Sequence, residues 1–167
     1  MKTLLDAAEK LYLWFVRAAS SLQSPFLLAV RLYWGWQFLQ GGMAKLSDIS
    51  KVVDYFTSLG IPAPSLNAHF IALLETTGGI LLILGLAARL IALPLAINMT
   101  VAYVTADREA LGSIFSEPEK FYAAAPYTFL FASLLILIFG PGKFSLDALI
   151  GWYRRKQHKA FPAAASS

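Results

Sequence analysis

The chain has 167 residues, 57% of them hydrophobic and only 14% charged, with a mean hydropathy of +0.60. A soluble domain carries about a quarter charged residues, so this composition marks an integral membrane protein with no length to spare for a separate soluble catalytic domain. Absence of cysteine excludes thiol relays, disulfides and iron–sulfur ligation; His69 and His158, neither of them mid-membrane, argue against a bis-histidine haem, no metal site is expected, and a net charge of +4 held mostly in the tails calls for no nucleic acid.

Residues 3–23 read as an amphipathic helix. Leu4, Ala8, Leu11, Phe15 and Leu22 share one face, opposite Asp6, Glu9, Lys10 and Arg17. Residues 1–24 are therefore expected to lie in the membrane interface, or else to cap the bundle. The first spanning segment, about 25–46, contains RLYWGWQFLQGGMAK. At ~100° per residue Arg31, Gly35, Phe38, Gly42 and Lys45 fall on one stripe, flanked by Trp34 and Gly41. A charge in hydrocarbon costs at least ~2.5 kcal/mol, so this stripe must face protein or water, and glycines let a neighbouring backbone approach. Trp34 and Trp36 offer a candidate stacking surface.

The segment SDISKVVDYFTSLG is too short and polar to span and reads as a surface helix with Ser47 as N-cap. After IPAPS, with Ser65 as cap, the second spanning segment runs from about 66 to 86 and carries Glu75 near its middle. Gly78, Gly79 and Leu82 share its face, so Gly35 and Gly42 are expected opposite Gly78 and Gly79. A tight hairpin around Gly85-Leu-Ala-Ala leads to the third segment, 89–105, bent at Pro94. A polar loop then precedes the fourth, 121–139, kinked near Pro126. FGPGKFSLD turns the chain out. Trp152-Tyr-Arg-Arg-Lys marks an interfacial anchor within a basic tail, 151–167, that ends in a disordered FPAAASS.

Four spans place both termini on one side. That side carries nine Lys/Arg against four on the other, so the positive-inside rule puts the termini in the cytoplasm of a multi-pass protein. The predicted fold is an all-α, integral membrane four-helix bundle over residues 25–150, with an N-terminal interfacial helix and a short helix in the first outer loop.

The polar groups at membrane depth are the candidate site. Arg31, Gln37, Lys45, Glu75, Asn98 and Tyr103 are the ligand-binding candidates, Glu75 is the candidate catalytic group, and Tyr127 is a further polar group at that depth. Counting from the segment ends, the Arg31 and Glu75 backbones differ in height by roughly 9 Å. Glu75 is expected to pair with a basic group on the first span, either Arg31 or Lys45. A buried ion pair that only fixes helix register accounts for these residues; so does a polar pocket between the first two spans.

RLYWGWQFLQGGMAK at 31–45, ETTGGILLILGLAAR at 75–89 and FGPGKFSLD at 139–147 resemble the DoxX family, over about residues 26–150. The resemblance implies a four-helix protein of the bacterial inner membrane. Some relatives are small subunits of thiosulfate:quinone oxidoreductase, and others are membrane partners in thiol or oxidative-stress defence. It carries over Arg31, Lys45 and Glu75 as site positions. The expected function is that of a subunit of, or partner to, a quinone-linked oxidoreductase, using bound quinone or a partner's cofactor and no covalent one. A structural or assembly subunit of a larger membrane complex is the alternative, and a small transporter the third. Expected partners are the lipid bilayer and other membrane or periplasmic subunits, or further copies of the chain.

Overall fold

The computed structural model describes residues 2–160, with the backbone alone at residues 2–5, 7, 8 and 158–160. The described residues are all-helical. In order they form α1 (Lys2–Ser21), α2 (Gln23–Ser47), α3 (Ile49–Ser58), α4 (Pro64–Leu84), α5 (Ala88–Thr105), α6 (Arg108–Gly112), α7 (Pro118–Ala123), α8 (Ala125–Phe139) and α9 (Leu146–Ala160). Three helices are long and apolar enough to cross a bilayer: the run Glu9–Ser47, α4 and α5. The 15-residue α8 completes the bundle and is apolar but shorter.

Helix α1 is not set off from α2 by a loop. Leu22 itself has helical angles (φ −76°, ψ −16°), so the backbone continues through it. The interruption there has a local cause. Pro25 has no N–H to give the Ser21 carbonyl, and the chain makes a turn, Leu22 N donating to Ala19 O, before resuming. Leu11, Phe15 and Leu22, on the expected apolar face, are exposed, and so are Tyr12, Leu13 and Trp14; Leu4 and Ala8 of that face lie outside the described side chains. The 39 residues Glu9–Ser47, at ~1.5 Å each, have a helical contour of roughly 58 Å, longer than a ~30 Å hydrocarbon core.

Helices α2 and α4 form the closest pair in the bundle. Their contact is made by small residues. A methyl group at position 79 would come within 2.5 Å of both Gly35 O and Leu39 N, and one at position 42 within 2.5 Å of Thr76 N. Gly42 thus meets Thr76 and Ala72, and Gly78 turns away from α2 toward Leu95 of α5. The expected facing of two glycine pairs reduces to Gly35 against Gly79. Behind this seam Phe38, Leu82, Ala88, Ala92, Leu95, Met99 and Ile136 form the apolar core. Deep burial of alanine and glycine replaces large side chains here because lipid supplies no hydrophobic drive for helix association, and close backbone packing must do so.

Caps differ from those expected. Asp48, rather than Ser47, is the N-cap of α3 and accepts from the Lys51 amide; the Lys51 side-chain hydrogen bond holds its carboxyl below the usual value. Helix α4 begins at Pro64, after Ala63 in the left-handed region (φ 46°). Proline at N1 needs no amide partner, so Ser65 is inside the helix instead of capping it. The fourth span is two helices, broken at Ala124 (φ −64°, ψ 139°). Pro126 has no N–H to give the Tyr122 carbonyl and is instead accommodated in the first turn of α8, where no amide partner is needed, so the chain breaks instead of kinking. The loop before it holds α6 and part of α7. At the other end α9 continues to Ala160, so the basic tail is helical to that point; the segment 161–167 lies outside the described residues.

Candidate functional site

The charges at membrane depth separate into two assemblies, one at the C-terminal end of α4 and one at its middle. Arg31 is 1% exposed, and its guanidinium donates only to carbonyls. Nε reaches Leu82 O at 2.9 Å and Nη2 reaches Ile83 O at 3.1 Å, both at the C-terminus of α4. Nη1 donates to Phe144 O at 3.0 Å and to Pro141 O in the loop between α8 and α9. The last carbonyls of a helix lack intrahelical donors and carry the negative end of its dipole, so a guanidinium laid across them has its charge and donors satisfied together. Gly85, the C-cap at φ 66°, makes room: a methyl group there would lie 2.6 Å from Arg31 Cζ.

The same loop is tied down elsewhere. Asp147 caps α5 from outside, accepting from Ala87 N at 2.8 Å and Ala88 N at 3.0 Å, and its own amide donates to Gly85 O. This replaces a local cap that Ala87 cannot provide. Arg89 donates to Ile138 O at 3.0 Å. Lys143 N donates to the Ser24 hydroxyl at 3.2 Å, so α1 and α9 leave from one end of the bundle. Arg31 is thus part of a latch between α2, the α4–α5 hairpin and the 140–147 loop. Four of its five N–H donors are directed at backbone carbonyls.

The second assembly surrounds Glu75, which is 4% exposed at the middle of α4. Lys45 Nζ forms an ion pair with Glu75 Oε2, and Asn98 Nδ2 of α5 donates to Oε1 at 3.0 Å. Of the two bases the sequence left open, Lys45 is the partner. Three helices therefore meet at one carboxylate whose two oxygens each accept a hydrogen bond. Lys45 itself keeps a third of its side chain exposed (33%), and two of its three ammonium N–H groups have no acceptor among the described residues.

A cavity of about 320 Å³ opens onto this triad. It runs beyond the expected gap between the first two spans: α3, α5 and α8 wall it as well as α2 and α4. From Asn98 on α5 it reaches past the end of that helix to Asp107, the residue before α6. Its walls are apolar and aromatic, with Phe38, Phe56, Met99 and Phe129 prominent; Phe38 and Phe129 meet edge-on at 4.8 Å. Gln37 lines it, and among the described residues its amide makes no hydrogen bond.

Tyr103 does not line it. The hydroxyl donates to Phe121 O at 2.7 Å and the ring stacks on Phe121 at 5.1 Å, so this side chain ties α5 to α7. Tyr127 packs with Phe121 and Phe131. Neither tryptophan of α2 offers a stacking wall: Trp34 packs on Tyr33 and Phe129, and Trp36 is exposed on the outer face. Residues absent from the sequence-based set, Phe129, Met99 and Asp107, line the cavity through tertiary packing of α5 and α8, which helical spacing within α2 and α4 cannot report.

The DoxX family model matches residues 26–108. The uncharacterized membrane protein Rv3486 of Mycobacterium tuberculosis is 32% identical over 130 residues, covering 74% of this chain and 80% of that one. The chain belongs to the DoxX family. A second relative, the Bacillus subtilis protein named "Putative oxidoreductase CatD", is 28% identical over 123 residues, covering 74% of this chain and 85% of its own. No solved structure matches the chain. The matched region contains Arg31, Lys45, Glu75 and Asn98, and stops before α8 and the 140–147 loop.

Proposed function

We propose that this DoxX protein is the membrane subunit of a quinone-linked oxidoreductase and holds a quinone head group against Lys45, Glu75 and Asn98. The observation that carries this reading is the placing of a hydrogen-bonded acid–base pair, its acid buried and its base part-exposed, in the wall of an apolar, aromatic cavity. Ligand pockets have this form: apolar walls with a few convergent polar groups, and volumes from about 300 Å³ upward. A purely architectural ion pair has no use for such a cavity.

Within the site Lys45 is the donor to a carbonyl oxygen, since only one of its N–H groups is taken by Glu75. Glu75 and Asn98 position it. The carboxylate also neutralises the ammonium, so the site presents a donor without a net buried charge. When bound, a quinone supplies two-electron, two-proton chemistry, the electrons coming from a redox centre in a partner subunit. The cavity extends to the end of the bundle that holds α3 and Asp107, and its mouth is read as lying there. With nine of the Lys/Arg at the opposite end or in the tails beyond it, the positive-inside rule places both termini in the cytoplasm and this mouth on the periplasmic side of a bacterial inner membrane. The name of the Bacillus subtilis relative supports a redox role.

Fully substituted short-chain ubiquinone, titrated into purified protein, tests the site through quenching of tryptophan fluorescence, Trp34 lying 5.2 Å from Phe129 of the cavity wall. Saturable quenching at one equivalent, lost in Lys45→Gln and kept in Arg31→Lys, is expected. Equal quenching of wild type and Lys45→Gln would leave the charge pair as a fixer of helix register in an assembly subunit.

A further inference from the structure

Among the three glycines of α2, two are demanded by packing and one is not. A methyl group at Gly35 would come within 3.0 Å of Gly79 O, and one at Gly42 within 2.8 Å of Ala72 O. These positions face the α4 backbone, which cannot give way. Gly41 lines the cavity. A methyl group there would meet only Glu75 Oε2 at 3.5 Å and Lys45 Nζ at 3.7 Å, ordinary van der Waals distances. Its φ is not in the left-handed region either. In mid-helix glycine is less favourable than alanine, so neither packing nor backbone conformation accounts for it.

Gly41 stands four residues after Gln37 and four before Lys45, so these three positions form one stripe along the cavity face of α2. A side chain on a helix leans toward the N-terminus, which brings the Lys45 ammonium back over Gly41. The bare position is therefore directly beneath the ion pair. Any side chain added at residue 41 would rise into the space that a ligand must enter to reach Lys45.

We infer that Gly41 is the specificity floor of the cavity: it leaves bare backbone beside Lys45 and Glu75 so that the edge of a planar ring bearing an acceptor oxygen can lie against α2 and accept from the ammonium. This rests on the quinone reading for the identity of the ring, but not for the open floor. It makes Gly41 a residue that selects by shape, whereas Gly42, next to it, serves the helix seam.

The chain contains no cysteine, so two substitutions at each glycine separate the roles. Gly41→Ala is expected to keep or raise the Tm of the detergent-solubilised protein and to weaken short-chain ubiquinone binding at least tenfold; Gly42→Ala should lower the Tm. Gly41→Cys should fold and react with N-ethylmaleimide, while Gly42→Cys, wedged against α4, should be unreactive wherever it folds. A lowered Tm in Gly41→Ala, unchanged ubiquinone affinity, or a folded but unreactive Gly41→Cys would each overturn the inference. Wild-type protein that binds no ubiquinone, with Gly41→Cys still reactive, would refute the quinone and retain the open floor.

Discussion

Glu75 takes its counter-charge from Lys45 and not from Arg31, although all three lie on the facing stripes of α2 and α4. Arg31 sits near the end of α4, where carbonyls are available, and Lys45 sits near the opposite end of α2, where its long stem reaches back to the middle of α4. Two cationic residues fourteen positions apart thus meet opposite needs: one completes a helix terminus and the other completes a buried acid.

A double-mutant cycle should report that division. Glu75→Gln and Lys45→Gln are expected to be coupled by about 0.5–3 kcal/mol, the range for residues in direct contact. The single changes should each cost roughly 1–2 kcal/mol, less than a fully buried pair, because Lys45 is partly exposed. Glu75→Gln with Arg31→Gln should be additive within about 0.5 kcal/mol. Unfolding of the detergent-solubilised protein measures both cycles, and coupling to Arg31 equal to that of Lys45 would contradict the geometry.

Arg31 should resist conservative replacement. A lysine retains the charge but cannot spread planar donors over Leu82, Ile83, Pro141 and Phe144. Arg31→Lys and Arg31→Gln are therefore both expected to destabilise, the latter by at least about 1–3 kcal/mol, the range for leaving a buried polar group without its hydrogen-bond partner. Arg31→Lys nevertheless leaves the distant cavity intact, so ligand quenching per folded molecule should be unchanged. A Tm equal to wild type in Arg31→Lys would show that the carbonyl contacts contribute little.

Asp147 caps a helix that its own segment does not belong to. Asp147→Ala is expected to cost about 0.5–2 kcal/mol, the range for loss of an N-cap side chain, and to raise hydrogen exchange at the Ala87 and Ala88 amides that it accepts from. Unaltered exchange at those two amides would argue against the cap.

Membrane sidedness is checked by single cysteines placed in the cysteine-free background. Ser58→Cys, at the end of α3, should be labelled by an impermeant reagent in intact cells, and Ser20→Cys, in the last turn of α1, should be labelled only after permeabilisation. The reverse pattern would invert the topology and place the cavity mouth in the cytoplasm.

Composition and periodicity were enough to establish an all-helical membrane bundle, the hairpin at Gly85, and the burial of Arg31, Gly35, Phe38 and Gly42 on one face of α2. They suffice because transferring a backbone or a charge to hydrocarbon is so costly that each segment must satisfy its own amides and turn its charges inward. The DoxX resemblance was likewise legible in three local motifs. What pairs with what was not. A helical wheel records direction around an axis but not which carbonyl, from a loop 110 residues away, comes to lie against Arg31 Nη1. The choice of Lys45 for Glu75, the cap that Asp147 places on α5, the loss of Tyr103 to Phe121, and the cavity walls supplied by α3, α5 and α8 all follow from how the helices slide and tilt against one another. That is set by backbone approach at Gly35, Gly42 and Gly79, and only the tertiary structure specifies it.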